Sequence, residues 1–267
     1  MWKVIVVGPK GKMGKLITQV IANRDDLELV AGVGPKGRDY IGGDLGTAAM
    51  VGRELGVPVV DDLESVIENC DVIIDFSTKE NGMKVLDLAI KYKKALVNGT
   101  TGFSADEMQR FKDAANEIPM LYAANTSKLV NIMNKLLEMV ASTVGNELDI
   151  EILEMHDQWK KDAPSGTSKE MGETMAHALG KELDEIKIHG REGVSPRVPG
   201  TIGYHSLRAG NIPSSHTVFF GGMGERLEIT HHSYNWECFA RGAVDCAAYL
   251  EGKEAGFYTI KDVLNIS

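Results

Sequence analysis

Residues 4–22 read VIVVGPKGKMGKLITQVIA, and the order of residue types in this stretch decides the fold. Val4, Ile5, Val6 and Val7 form an unbroken apolar run, which suits a strand covered on both faces, as in a parallel sheet. Gly8, Gly11 and Gly14 follow at once. Leu16, Ile17, Val20 and Ile21 then recur at helical spacing, so residues 13–22 read as a helix. Strand, glycine turn and helix in this order make a pyrophosphate site. Glycines let the backbone come close to the ligand, and the first N–H groups of the helix carry partial positive charge. Lys10 and Lys12 add charge to the loop. The alternative is a plain strand–helix turn, since a glycine string alone is weak evidence. The alternation that follows favours dinucleotide binding.

That alternation continues to residue 123. Residues 27–33, 57–60, 72–76, 95–97 and 120–123 read as strands, and 63–68, 81–92 and 104–116 as helices, with Ser104 capping the last. Strands alternating with helices imply βαβ units and a parallel sheet. From Ser127 the texture changes. Residues 129–144 form one long helix, and 148–155, 200–208, 216–220 and 226–232 read as strands. Leu227, Ile229 and His231 fall on one face, Glu228 and Thr230 on the other, the pattern of a mixed or antiparallel sheet with one better-covered face. GGMGE at 221–225 reads as a hairpin turn, 191–199 as a mobile loop with two prolines, and 236–250 as a closing helix. The expected fold is α/β: an N-terminal Rossmann-type parallel sheet plus a C-terminal α+β domain with a mixed open sheet.

The 267 residues suffice for one large domain or two modest ones. A net charge of -9 argues against general affinity for nucleic acid or anionic membrane, because such binding needs a positive field. The apolar N-terminal run is too short for a membrane span and lacks a signal-peptide cleavage pattern, so the expected compartment is the cytoplasm. Cys70, Cys238 and Cys246 are odd in number and include no CxxC pair. Their spacing predicts buried thiols, with neither a disulfide framework nor a metal site.

Two further segments carry chemistry. A site that prefers NAD usually places Asp or Glu at the end of the second strand, on the ribose hydroxyls. Here that strand runs into Gly34-Pro35-Lys36-Gly37-Arg38. Lys36 and Arg38 meet a 2′-phosphate in one reading and form a solvated basic turn in the other. Residues 154–167 read EMHDQWKKDAPSGT. His156 ends a strand and Lys160 lies four residues on, a pair suited to supplying a proton or holding an anion. The PSGT turn opens a helix at 168–179, with Thr167 and Glu170 at capping-box spacing. Such a helix start receives anions through its first N–H groups. Each part has an ordinary explanation: a surface histidine, a solvated lysine pair, a simple cap. Beside a dinucleotide loop, they predict a pocket for a small anionic carboxylate.

These motifs resemble, in order and spacing, the 4-hydroxy-tetrahydrodipicolinate reductases of the diaminopimelate–lysine pathway, long called dihydrodipicolinate reductases. They are GxxGxMG at 8–14, DFST at 75–78, NGTTGF at 98–103, AANTS at 123–127, KxDAPSGT at 160–167, RVPGTIGYHSLRAG at 197–210, GERLEITHHS at 224–233 and FARGAV at 239–244. The resemblance implies hydride transfer from NADPH or NADH to a cyclic, doubly carboxylated imine, by a homotetramer joined through the sheets of the second domain. It also implies that the last helix returns to the first domain. Residues 1–127 with 236–267 are then the dinucleotide-binding domain, and 128–235 the substrate-binding and oligomerisation domain. By position, Gly8, Gly11, Lys12 and Met13 contact the pyrophosphate. Phe76 belongs to the cofactor site, and Gly99, Thr100 and Thr101 lie beside the nicotinamide, as do Ala123, Ala124, Asn125 and Thr126. His156 takes the acid–base position. Lys160 donates the proton or holds the substrate carboxylate, and Gly166 and Thr167 bind a carboxylate through backbone N–H groups.

The chain departs from the family pattern at the pocket. Asp157 stands where a second histidine usually helps to bind substrate, and Trp159 where another histidine follows. Thr126 replaces an aromatic beside the nicotinamide, and Gly34 replaces the ribose acid. An ionised Asp157 beside a dicarboxylate is repelled by about 1–4 kcal/mol. It therefore points away, pairs with Lys161 or is partly protonated. Alternation turns Asp157 to the face opposite His156, unless a turn begins at His156. Two alternatives stay open. One is a family relative that reduces a different imine, or acts as an amine dehydrogenase with Asp157 on the amine. The other is a non-catalytic dinucleotide-binding sensor. Gly34 with Lys36 and Arg38 predicts that NADPH is used at least as well as NADH.

Overall fold

The computed structural model describes residues 1–266. The chain forms two compact units, Met1–Lys128 with the chain from Trp236 onward, and Leu129–Asn235. In chain order the elements are β1 (Trp2–Val7), α1 (Lys12–Ile21), β2 (Leu27–Val33), α2 (Leu45–Ala48), β3 (Val59–Val60), β4 (Val72–Asp75), α3 (Lys79–Tyr92), β5 (Ala95–Asn98), α4 (Ala105–Ala114) and β6 (Pro119–Tyr122). Then come α5 (Lys128–Val144), β7 (Asp149–His156), α6 (Gly166–Ala178), α7 (Leu183–Ile186), β8 (Lys187–His189), β9 (Ile202–Arg208), β10 (Ser214–Gly221) and β11 (Arg226–Ser233). The chain ends with α8 (Glu237–Tyr249), β12 (Gly256–Tyr258) and α9 (Ile260–Leu264).

In the first unit, seven parallel strands lie in the order β12-β6-β5-β4-β1-β2-β3. The unbroken apolar runs have a physical reason here. In β1, Val4 and Val6 enter one core with Ile17 and Ile21 of α1, Ala243 and Val244 of α8, and Leu250 just after it. Ile5 and Val7 enter the opposite core with Leu86 and Ala89 of α3 and Phe111 of α4. Both faces of the sheet are therefore covered by helices, which is the Rossmann-type arrangement. Each fully buried aliphatic side chain contributes about 1.5–3 kcal/mol. Strand order reverses between β1 and β4, and a crevice at such a switch point is where open α/β sheets bind ligands.

Residues 63–68 are not the short helix expected from sequence. Only a single 3₁₀ turn forms, at Ile67–Asn69. The Asp62 carboxylate takes the Glu64 N–H at 3.0 Å and the Ser65 hydroxyl donates to the Asp62 carbonyl at 2.7 Å. These local bonds compete with a helix too short to nucleate.

The second unit carries a mixed five-stranded sheet in the order β11-β10-β7-β9-β8. Neighbours of β10 are antiparallel and neighbours of β9 are parallel. One face packs against Val130, Met133, Leu137 and Ala141 of α5 and Met171 and Met175 of α6. Along β7 the residues on that face are Ile150, Ile152, Glu154 and His156, all buried. The register sets Glu154 opposite His216 and Ser206, and His156 opposite Arg208. The 221–225 segment closes the β10–β11 hairpin, with Gly224 at φ +90°. Coverage fades along β11: His231 is buried, Ile229 packs at the rim of the core and Leu227 is exposed. Both arginines of the 191–199 loop are tied down. Arg191 and Arg197 each reach Glu151, at 2.6 and 2.5 Å.

Candidate active site

In the first unit the expected cofactor residues come from the loops at the carboxyl ends of β1, β2, β4, β5 and β6. Gly8 turns the chain with φ +74°, donating its N–H to Val33 O and accepting from Gly11 N at 2.9 Å. A Cβ on Gly14 would stand 2.0 Å from Gly8 O, so only glycine lets α1 start this close to the loop. Gly11 is the N-cap of α1 and no side chain caps it. An uncapped helix start beside a glycine turn fits a pyrophosphate. Lys12 lies 4.2 Å from the Trp236 ring centroid, and Met13 packs on the core below. Lys10 lies 4.8 Å from the Tyr40 ring centroid and 3.5 Å from Asp39.

After β2, the geometry explains why no acid stands at position 34. A Cβ on Gly34 would lie 2.6 Å from Tyr40 Cε2 and 2.9 Å from its hydroxyl. The Tyr40 ring is held there by Leu45 and Val59. Lys36 and Arg38 are exposed on the adjoining turn.

After β4 and β5, a chain of buried hydrogen bonds shapes the next loop. The Asp75 carboxylate accepts from Ser77 N at 2.9 Å and from Asn98 Nδ2 at 3.0 Å, and Asn98 Oδ1 accepts from Thr100 N at 3.0 Å. Burial raises Asp75 to about 6, against the lowering effect of those donors. Phe76 packs against Gly99, where a Cβ would be 2.0 Å from its ring. The Thr100 hydroxyl is buried without a protein partner, as a group awaiting a ligand would be. Thr101 is exposed beside it. After β6, Ala123 N donates to Asn98 O at 3.1 Å, and Ala124 is exposed. Asn125 Oδ1 accepts from Ser127 N at 2.9 Å. The Thr126 hydroxyl is committed elsewhere, donating to Phe239 O of the segment that becomes α8 at 2.7 Å.

In the second unit, β7 delivers His156 to the edge of the buried face. Its Nδ1 lies 2.5 Å from Glu154 Oε2 and its Nε2 3.3 Å from Ser214 Oγ. Glu154 is fully buried. Arg208 grips both carboxylate oxygens at 2.9 Å, and Ser165 N donates to Oε1 at 3.2 Å. Burial alone would raise this carboxyl, but the hydrogen bonds from His156, Arg208 and Ser206 outweigh it and hold Glu154 at about 2. His216 packs edge-on to His156 at 5.3 Å and contacts Ser165 Oγ at 3.1 Å. Burial, then the neighbouring His156, pushes His216 down to about 3, so it stays neutral.

The 157–165 turn leaves β7 at once. Asp157 Oδ1 accepts the Trp159 N–H at 2.8 Å, so its carboxylate closes a turn and is not paired with Lys161. Trp159 is exposed. Lys160 is half-buried and pairs with Asp162 at 2.9 Å. Gly166 opens α6, exposed, with Thr167 beside it. The expected Thr167–Glu170 capping box is not the cap. Ser165 is, its hydroxyl accepting from Ser168 N at 3.1 Å. Among the described residues, no group of three or more His, Cys, Asp or Glu side chains is placed to hold a metal ion.

The family model for the dihydrodipicolinate reductase N-terminus matches residues 2–126, and that for its C-terminus residues 129–264. The chain belongs to the dihydrodipicolinate reductase family. The 4-hydroxy-tetrahydrodipicolinate reductases of Pseudomonas fluorescens and Hahella chejuensis are 44% and 41% identical to it, each over 100% of both chains. The dipicolinate-bound dihydrodipicolinate reductase from Paenisporosarcina sp. TG-14 superposes with a TM-score of 0.74 at 25% identity, covering 97% of each chain. The amine dehydrogenase from Mycobacterium smegmatis superposes at 0.58 with 12% identity, covering 97% of this chain and 95% of its own, a likeness of fold alone. A nicotinamide dinucleotide is the cofactor this reductase family implies, and the glycine turn, the uncapped α1 and the orphaned Thr100 hydroxyl fit it.

Sequence reasoning missed Glu154, Ser165, Arg208 and His216. Glu154 left a signal. It shares a strand face with Ile150, Ile152 and His156, and a carboxylate on a core-facing strand position needs partners. Arg208 and His216 left none, because only strand register brings them to it.

Proposed function

We propose that this protein reduces 4-hydroxy-tetrahydrodipicolinate to tetrahydrodipicolinate with NADPH or NADH, in diaminopimelate and lysine biosynthesis. The observation that carries the reading is the buried His156–Glu154 pair beside the α6 start, in a chain matched to the family along its length. The nicotinamide, when bound, supplies the hydride. His156 and Lys160 manage the proton, and Lys160 with the Gly166–Thr167 turn holds a carboxylate. The 8–14 turn and the 99–101 loop hold the dinucleotide. Asp157 supports the dicarboxylate reading over an amine substrate, because its carboxylate is engaged by the Trp159 N–H. The test is a coupled assay with synthase-generated substrate, following oxidation of the reduced cofactor. No turnover with either cofactor, in a folded protein that binds both, would refute the reading and favour a sensor.

For the finer cofactor choice, NADPH serves at least as well as NADH. Tyr40 occupies the place of a ribose acid, and Lys36 and Arg38 are at hand for a phosphate. Charge-assisted contacts of that kind are worth about 1.5–3 kcal/mol each. Comparing kcat/KM for both cofactors in the parent and Arg38→Ala proteins tests this, and a strong parental preference for NADH refutes it. The protein works as a homotetramer in the cytoplasm. In support, the sheet face bearing Leu153, Met155 and Phe219 lies opposite the helix-covered one and is only half-buried, and among the described residues no helix is long and apolar enough to cross a membrane. Light scattering from the purified protein checks the oligomer.

A further inference from the structure

We infer that Glu154 is the positioning residue of this site: it fixes His156 with its proton on Nδ1 and fastens the start of α6 to the same carboxylate. The inference rests on the reductase reading only for the role of His156. Its geometry is independent of substrate. Glu154 accepts from His156, Arg208, Ser165 and Ser206. Oε2 faces His156 Nδ1 and Arg208 NH1, and Oε1 faces Arg208 NH2 and Ser165 N, all at 2.5–3.2 Å. An ionised carboxylate has about four lone-pair sites, so none is left over.

The chemistry follows from which atoms are taken. A carboxylate accepts only, so His156 Nδ1 must carry a hydrogen to meet it. Neutral His156 therefore keeps Nε2 as its acceptor, and that atom faces Ser214 and the edge of the buried face. A hydrogen bond at one ring nitrogen setting the role of the other is the usual logic of a catalytic imidazole. Arg208 has a second task. After the His156 hydrogen bond, its hydrogen bonds help to keep the Glu154 proton off, so that the carboxylate remains an acceptor. Arg208 also donates to the Asp162 carbonyl at 2.6 Å, which ties the Lys160-bearing turn to the same hub. Histidine, lysine turn and helix start are thus held by one buried group.

The test reads the tautomer directly. Full-length protein carrying nitrogen-15 histidine is compared with Glu154→Gln by NMR, and the His156 signals are assigned from their loss in His156→Gln. In the neutral ring the expected parent spectrum shows the Nδ1–H form, and Glu154→Gln shows a mixture. In turnover, Glu154→Gln is expected to lose about 10- to 100-fold in kcat with the cofactor KM unchanged. The same change in a His156→Gln background is expected to lose clearly less, because the part of the effect that runs through His156 is already gone. An Nε2–H tautomer in the parent protein overturns the proposal, as does an equal loss in both backgrounds. Should Glu154→Gln fail to fold, Glu154→Asp keeps the charge for Arg208, withdraws from His156, and carries the same two measurements. Since the tautomer needs no substrate, failure of the assigned reaction leaves this result standing on its own.

Discussion

At the scale of single residues, the turn after β7 gathers charge beside His156. Lys160 is held by Asp162, whose carboxyl it keeps below the usual range through their hydrogen bond. Lys160→Ala is expected to lower kcat/KM about 30- to 1000-fold with cofactor affinity unchanged, the cost of one charged hydrogen bond in a closed site. Steady-state kinetics with fluorescence titration of the cofactor reads both quantities. Asp157 makes the opposite case. Asp157→Asn preserves an acceptor for the Trp159 N–H and removes one negative charge. Turnover of the dicarboxylate is expected to rise about fivefold, the equivalent of about 1 kcal/mol of repulsion. A fall would mean that the charge attracts the true substrate. Much of this residue-level grouping was legible in the sequence, because His156, Lys160 and the PSGT turn are neighbours along the chain. The hub that organises them was not, since its parts come from three strands and meet only through register.

At the scale of elements, the start of α6 carries more than a cap. Ser165 Oγ accepts from Ser168 N and also contacts His216 Nε2. Ser165→Ala is expected to cost about 1 kcal/mol for the cap and about 1–3 kcal/mol more for leaving a buried imidazole nitrogen unpaired. Urea denaturation measures the sum, and a change below about 0.5 kcal/mol would show that α6 is held by packing alone. The missed capping box is instructive. Thr167 and Glu170 have the right spacing, but Ser165 precedes them with a serine at its own third position, and the helix begins at the earlier candidate. The long elements were readable because periodicity accumulates over many residues. The short ones, α7, β8 and β12, were not: β12 has three residues and exists only because it pairs with β6.

At the scale of the molecule, two buried groups tie stability to acid. Glu154 lies at about 2 in the folded protein and His216 at about 3, both below their ordinary values. For each, the unfolded chain binds a proton at a higher pH than the folded one does. Their stabilising contribution is therefore full above pH 6.5, begins to fade below it as unfolded histidine protonates, and falls further below 4.5 as unfolded glutamate does. The melting temperature is expected to decline on acidification through this window, and His216→Asn to flatten the upper part of the decline. Calorimetry from neutral to pH 4 checks it, and identical slopes in both proteins would remove His216 from the account. Fold class was legible at this scale from the change of texture near residue 127. That the first unit is built from both ends of the chain was not legible in periodicity, and came only from the family resemblance.

The return of α8 has a consequence in time. A ribosome delivers residues in order, so the first hundred or so emerge with one face of their sheet unfinished. Val4, Val6, Ile17 and Ile21 wait for Ala243, Val244 and Leu250, which are made only after the whole second unit. The second unit, whose elements are contiguous, is complete before that moment. The nascent first unit thus spends most of its manufacture as a sticky, half-covered sheet. A chaperone arrested on stalled chains should be found while α8 is still inside the exit tunnel, and should leave once it is out.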